Sequence, residues 1–314
     1  MRALMPSLAT AQASFVSSIT ANLRTLPVLA ALFLGACSSK SAPATADAGY
    51  LPSPLIAARP YSFKEPASYD PKKPTPLVVV LHGYGAGGIV EQAYLGLNAL
   101  SDSKTFLLAY PDGTVDSKGK RFWNATDGCC NFDRVPVDDV AYVTQIIDDV
   151  SAQYNVDPKR IYLVGHSNGA FMSHRFACEV APRVAAIVTL AGMQWLDPAK
   201  CSPSEPVAVL QVHGDADDTI HYEGGKTESG AYPSARKTVA TWAAKNGCTG
   251  DIAATGQTLD LEVNIPGGET TVERYEGCPA TVELWTIHGG DHIPGWSPSW
   301  PNAMWEFLAA NPKK

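Results

Sequence analysis

Ile161-Tyr162-Leu163-Val164-Gly165-His166-Ser167-Asn168-Gly169-Ala170 is the stretch from which the rest of the chain can be read. Its first four residues are an apolar run closed by a glycine, the pattern of a buried strand. Gly-x-Ser-x-Gly follows, and the residues after it have the spacing of a helix. A serine hydroxyl is a weak nucleophile until a base, exposure and an oxyanion site act on it. A sharp strand-to-helix turn supplies the exposure. Gly165 and Gly169 suit such a turn, because a side chain at either position would crowd it. The backbone N–H of Asn168 would then point to where an oxyanion forms, beside the N-terminus of the new helix. A glycine-rich loop with a chance serine is the plain alternative. The strand before and the helix after favour Ser167 as a candidate nucleophile.

Such a serine needs a base, and the base needs an orienting acid. In an open α/β sheet these groups lie beyond the carboxyl ends of strands. Residues 207–212 form an apolar run that leads into His213-Gly214-Asp215-Ala216-Asp217-Asp218. Residues 282–287 lead into His288-Gly289-Gly290-Asp291-His292. Asp217 is the favoured acid, ahead of Asp218 and then Asp215, because the loop must first turn back over the strand end. Asp215 and Asp218 are read as solvated, and His213 as making a structural hydrogen bond. His292 is favoured over His288 as base. His288 continues the strand, whereas Gly289-Gly290 lets the chain turn and bring His292 over Ser167.

Another apolar run, Leu77-Val78-Val79-Val80-Leu81, passes directly into His82-Gly83-Tyr84-Gly85. The N–H of Tyr84 or Gly85 is the candidate second oxyanion donor. The loop lacks the Gly-Lys-Ser/Thr ending of a phosphate loop, so no nucleotide is expected there. Strand-like residues 59–63 (an edge), 106–110 and 184–190 alternate with helix-like residues 89–100, 168–179, 234–246 and 301–310. This alternation predicts a mostly parallel central sheet with helices on both faces. Asp138 and Asp139 read as caps of the helix that follows them. His174 reads as a packing or surface residue, and the segment between residues 250 and 281 as irregular.

With 314 residues and 45% hydrophobic content, the chain is long and apolar enough for one large α/β domain. Residues 1–36 contain Arg2 and Arg24 and no acidic residue, and they end in an apolar run before Cys37. They read as a signal peptide, residues 37–57 as a flexible linker and residues 58–314 as the catalytic domain. Without Arg2 and Arg24, 22 of the 24 basic residues face 31 acidic ones, a net charge of −9. Such an acidic chain does not suit nucleic acid or an anionic membrane surface. Leu34-Gly35-Ala36-Cys37 resembles the bacterial lipobox, which implies a lipid on Cys37; plain cleavage near Ala36 is the alternative. Either way the chain is expected to be exported, in the outer membrane, periplasm or medium. Six further cysteines remain, an even number that suits disulfides in an exported protein. No spacing suggests a zinc site, and neither metal nor cofactor is expected.

Taken together, His82-Gly83-Tyr84-Gly85, Trp123-Asn124, Cys129-Cys130, Asp138-Asp139, Gly165-His166-Ser167-Asn168-Gly169, His213-Gly214-Asp215-Ala216-Asp217 and Gly289-Gly290-Asp291-His292 resemble the poly(3-hydroxybutyrate) depolymerase and feruloyl esterase branch of the α/β hydrolases. The resemblance runs from about Arg59 to the C-terminus. It implies an α/β-hydrolase fold without a large lid and an exported serine carboxylesterase of the Ser-His-Asp type with an exposed, aromatic-lined cleft; a monomer is expected. His82, Tyr84, Trp123, His166 and Trp296 are the candidate substrate contacts. The family usually has three glycines before the catalytic histidine and a tryptophan soon after it. Here Asp291 takes the third glycine position, and Ile293-Pro294-Gly295 displaces Trp296.

Fifteen pairings of the six cysteines are possible. Cys178–Cys201, Cys248–Cys278 and a vicinal Cys129–Cys130 bond are the expected ones. The first ties the end of the nucleophile helix to a loop past the next strand. The second joins a helix to the strand after the irregular segment. Feruloyl, aryl, acetyl-polysaccharide and polyhydroxybutyrate-type esters are all candidate substrates. A prolyl-oligopeptidase-like peptidase and a non-catalytic surface binder are the competing readings. No propeller domain supports the former, and an intact triad argues against the latter.

Overall fold

The computed structural model describes residues 51–314. The signal segment, Cys37 and most of the linker lie outside the described residues. Nine strands form one sheet: β1 (Ser62–Lys64), β2 (Thr75–Leu81), β3 (Leu107–Tyr110), β4 (Val156–His166), β5 (Ala186–Leu190), β6 (Ala208–Gly214), β7 (Ile252–Leu259), β8 (Thr270–Tyr275) and β9 (Val282–Ile287). Their order is β1-β3-β2-β4-β5-β6-β9-β8-β7. The six inner strands are parallel. β1 on one edge, and β8 with β7 on the other, run antiparallel to their neighbours.

The inner strands are continuous apolar runs because both faces are covered. Every residue of β2, β5, β6 and β9 is buried. Side chains alternate between the two faces. Leu77, Val79 and Leu81 enter one core layer, and Val78 and Val80 enter the other. The first layer is closed by α4 (Asp139–Gln153), α5 (Asn168–Glu179) and α6 (Ala235–Lys245), and the second by α3 (Leu97–Lys104) and α7 (Trp300–Ala310). Among the described residues no helix is long and apolar enough to cross a membrane.

Several sequence expectations shift. Pro54–Ala58, assigned to the linker, forms α1, and its Ile56 is buried in the first layer. The edge strand begins at Ser62 rather than at residue 59, because Arg59 turns its guanidinium inward onto Asp139 at 2.7 Å. Asp138 caps α4 by accepting from Ala141 N–H at 2.9 Å. Asp139 is fully buried and holds both Arg59 and the Asn124 N–H, so it pins the long loop rather than simply capping. The helix expected over residues 89–100 is two helices, α2 (Gly88–Tyr94) and α3, separated by Gly96 at φ 70°. The irregular segment contains β7 and β8.

The parallel register brings the functional loops to one edge. Leu81 pairs with Gly165, His166 with Leu190, Leu190 with Val212, and Gly214 with Ile287. The residues that follow each strand therefore emerge side by side. The disulfides are Cys129–Cys130, Cys178–Cys201 and Cys248–Cys278, the expected pairs. Cys178–Cys201 closes a loop with a sequence separation of 23. Replacing both cysteines by serine should cost about 3 kcal/mol of unfolding free energy from loop closure. Urea titration of the double variant, Cys178→Ser with Cys201→Ser, measures it, and an unchanged midpoint would refute the stabilising role.

Candidate active site

Ser167 sits at the apex of the turn between β4 and α5, with φ 51° and ψ −119°. This is a strained conformation for a residue with a side chain. The turn is possible only because its flanks are glycine. A Cβ on Gly165 would lie 2.3 Å from the Gly169 carbonyl oxygen, and one on Gly169 would lie 1.9 Å from the Leu81 carbonyl oxygen. Ser167 N–H donates to Leu190 O at 2.8 Å, which ties the turn to the end of β5.

Ser167 Oγ lies 3.0 Å from His292 Nε2, and His292 Nδ1 lies 2.8 Å from Asp217 Oδ2. On a neutral imidazole, Nδ1–H donates to the carboxylate and Nε2 accepts from the serine hydroxyl. Asp217 Oδ1 accepts from Thr219 N–H at 2.9 Å and Ile220 N–H at 2.8 Å. Burial works to raise the Asp217 pKa. The hydrogen bonds from His213 and His292 outweigh it and hold the carboxyl well below the usual carboxylate range. Burial lowers the His292 pKa below the ordinary imidazole value, and the bond to Asp217 offsets only part of that effect.

A buried polar chain runs under the site. Trp242 Nε1–H donates to His174 Nδ1 at 3.0 Å, so the His174 proton sits on Nε2, which lies 3.2 Å from Gln211 Oε1. The Gln211 amide nitrogen then faces His213 Nδ1 at 3.3 Å. His213 is left with its proton on Nε2, 2.7 Å from Ile220 O and 3.2 Å from Asp217 Oδ2. Burial pushes His174 down to about 4, so it stays neutral. The structural reading of His213 and the packing reading of His174 agree with this chain.

The other imidazole of the last loop behaves differently. His288 Nδ1 pairs with Asp215 Oδ2 at 2.8 Å, and its Nε2 lies 3.0 Å from Thr271 Oγ1. Asp215 also accepts from Gly289 N–H at 2.6 Å, so it anchors the turn rather than being merely solvated.

The oxyanion side is narrower than expected. Gly85 N–H donates to Arg121 O at 2.8 Å, which removes it as an oxyanion donor. Asn168, at the first position of α5, exchanges hydrogen bonds with the Trp123 backbone through its side chain, which leaves its own N–H for other use. Gly83, Gly85 and Gly88 also carry the spacing of a dinucleotide fingerprint. Here the Gly83 and Gly88 N–H groups are taken by the carboxylates of Glu91 and Asp112, at 3.2 and 2.8 Å, where a pyrophosphate would have to bind.

Residues 65–224 of this chain match the esterase PHB depolymerase family. The chain belongs to that family. Feruloyl esterase B of Piromyces equi is 30% identical over 244 residues, which are 74% of this chain and 42% of that protein's length. Feruloyl esterase C of Emericella nidulans is 29% identical over 266 residues, covering 81% and 85%. The acetyl xylan esterase of Aspergillus awamori superposes with a TM-score of 0.55 at 15% identity, over 79% of this chain and 92% of that one. The fold is that of the α/β-hydrolase esterases, and membership places the chain among carboxylic ester hydrolases.

Several residues expected to contact substrate in this esterase do not line an open cleft. His82 is fully buried between Gly83 O and Gly113 N–H. Trp123 is fully buried and donates to His82 O at 3.0 Å. His166 is buried, with Nε2 2.9 Å from His292 O. The displaced Trp296 stacks on Trp300 with ring centroids 3.9 Å apart. Tyr84 is half-buried, its hydroxyl donating to Asp116 at 2.5 Å and its ring edge-on to Phe132. Glu91 escaped the sequence reading because one acidic residue on an ordinary helix carries no signal.

A general base must be neutral to accept a proton, so with His292 as the candidate base the rate should rise with pH as it loses its charge. Its lowered pKa puts that acid limb below 6.5. A kcat/KM profile on a short-chain p-nitrophenyl ester checks this, and a limb above 6.5 would contradict it. His288→Ala should keep most of the rate in the same assay, whereas His292→Ala should lose nearly all of it.

Proposed function

We propose that this chain is an exported serine carboxylesterase in which Ser167 is the nucleophile, His292 the base and Asp217 the orienting acid. The unbroken line from Asp217 through His292 to Ser167 carries the reading. Ser167 Oγ attacks the ester carbonyl carbon while His292 Nε2 takes its proton. The tetrahedral oxyanion is held by the N–H groups of Asn168 and Tyr84. His292 then protonates the departing alkoxide, leaving an acyl-enzyme. Water, deprotonated by the same imidazole, attacks the acyl-enzyme and releases the acid and Ser167. Asp217 fixes the tautomer of His292 and stabilises the imidazolium.

The substrate proposed first is a feruloyl or related aryl ester, the class named for several relatives. The half-buried Tyr84 and the partly buried Trp296 are the aromatic candidates left to meet the acyl group. A polyhydroxybutyrate-type polyester is the second reading. Ile293, directly after His292, and Val263, packed near Gly295, are 62% and 64% exposed. Such apolar side chains beside the site suit an extended apolar substrate. Three disulfides support export. Residues 1–36 are proposed as the leader, Cys37 as a lipid-bearing or newly exposed N-terminus, and the catalytic domain as starting by α1.

Ser167→Ala should lower kcat by about a million-fold, with the thermal unfolding midpoint unchanged. More than a few per cent of residual rate would overturn the nucleophile assignment. Asp217→Asn should cost about ten-thousand-fold through the wrong tautomer. Comparing kcat/KM on methyl ferulate, p-nitrophenyl acetate and a hydroxybutyrate oligomer decides the substrate. Preference for the oligomer would replace the aryl-ester reading.

A further inference from the structure

Glu91 and His166 are buried ionisable groups that the mechanism does not use. Glu91 is 2% exposed on α2, and His166 is 7% exposed at the end of β4. A carboxylate taken out of water without partners costs several kcal/mol, so what it faces is informative. Glu91 Oε2 accepts from Gly83 N–H at 3.2 Å; Oε1 has no hydrogen-bond partner and faces His166 Nδ1 across 3.7 Å, an ion-pair distance. On its far side His166 Nε2 lies 2.9 Å from the His292 carbonyl oxygen. A carbonyl only accepts, so Nε2 must carry a proton. Nδ1 faces the carboxylate, and a second proton there would complete an ion pair.

We propose that the Glu91–His166 pair is a positioning device that holds the His292 backbone and the Gly83–Tyr84 segment in fixed relation to Ser167. The proposal rests on the reading of Ser167 and His292 as nucleophile and base. The connection is short. His166 is covalently next to Ser167, and its ring bonds the main chain of the base. Glu91 sets its carboxylate against that ring and accepts from Gly83, the residue preceding the proposed oxyanion donor Tyr84. Attack, proton transfer and oxyanion binding need these three segments placed with a tolerance of less than about 1 Å. The groups that face His166 are Glu91 and Tyr94 from α2 and His292 from the loop after β9, with rings 5.5 Å from Tyr94 and 5.1 Å from His292; Asp217 acts from further off. Burial would lower the His166 pKa, but Glu91 outweighs it and raises the net value. Positive charge on His166 disfavours protonation of His292, whose ring lies 5.1 Å away.

Steady-state kinetics on p-nitrophenyl acetate, with thermal melts of each variant, test the proposal. His166→Ala should lower kcat about ten- to a hundredfold, with KM changed by less than about twofold. His166→Gln restores an N–H for the His292 carbonyl but not the charge. It should recover most of kcat, while the acid limb of the rate profile moves to higher pH, because the neighbouring cation is gone. Glu91→Gln should move the limb in the same direction. A folded His166→Ala with wild-type kcat, or a His166→Gln as impaired as the alanine variant, overturns the proposal. Where the alanine variant does not fold, an unchanged acid limb in both glutamine variants overturns it. Ser167→Ala is run alongside. Turnover by that variant would defeat the nucleophile reading itself, which separates that failure from failure of the positioning pair.

Discussion

The rest of the site depends on one charge kept where water is nearly excluded, the carboxylate of Asp217. An ionised carboxylate in such a place is tolerated only when its lone pairs are filled. The loop after β6 is shaped to do this. It folds back so that Thr219 and Ile220 present their N–H groups to one oxygen, while His213 and His292 meet the other. The same geometry aims the carboxylate at His292 Nδ1 and so leaves Nε2 for Ser167. The Trp242–His174–Gln211–His213 chain extends this order into the core. Its donors all run in one direction because the indole at its start can only donate. Polar residues on an otherwise apolar sheet face add little net stability, but a fully satisfied chain admits one arrangement of tautomers.

The second constraint is the strain at Ser167. A positive φ on a residue with a side chain costs on the order of 1–3 kcal/mol. It persists because both sides of the turn are fixed. β4 is paired on both edges with register maintained to its last residues. The start of α5 rests against the end of β2 at a distance that only glycine permits. The Cys178–Cys201 bond fixes the far end of the same helix. The placement of the Ser167 hydroxyl at the apex of the turn is thus a consequence of sheet register and helix packing, not of the loop alone.

These relations explain what the sequence reveals and what it conceals. Inner strands are legible because burial on both faces demands unbroken apolar runs, as at Val78 and Val79 or Val209 and Leu210. β7 was not legible. It is an edge strand, mostly exposed along its length, and it carries Gly256, so its pairing with β8 is a tertiary fact rather than a local one. Ser167, Asp217 and His292 are legible because each follows a recognisable strand end in an order with few alternatives. His82, Trp123 and His166 look like cleft residues because they neighbour the motifs. Adjacency in sequence says nothing of depth, and all three point into the protein. Glu91 has the opposite problem, since only the fold brings its helix against Gly83 and His166.

The antiparallel edge also shapes the substrate side of the site. β7 and β8 are joined by residues 260–269, a loop organised by two buried carboxylates. Glu269 accepts from Leu261 N–H, Glu262 N–H and Thr270 Oγ1. Glu262 accepts from Asn264 and from Gly295 N–H, while Val263 N–H donates back to Gly295 O at 2.7 Å. The segment after His292 is therefore stitched to the hairpin loop on one side. It is tied to α2 on the other, where the Tyr94 hydroxyl donates to Pro294 O at 3.0 Å. The departure of Ile293-Pro294-Gly295 from the usual glycine-tryptophan pattern has a physical counterpart. Trp296 is drawn away to stack on Trp300, and Ile293 is left at the surface in its place. The wall beside the base is built from backbone pairing and an exposed aliphatic side chain. The position of this edge therefore depends on the hairpin loop that holds the wall, as much as on the segment after His292 itself.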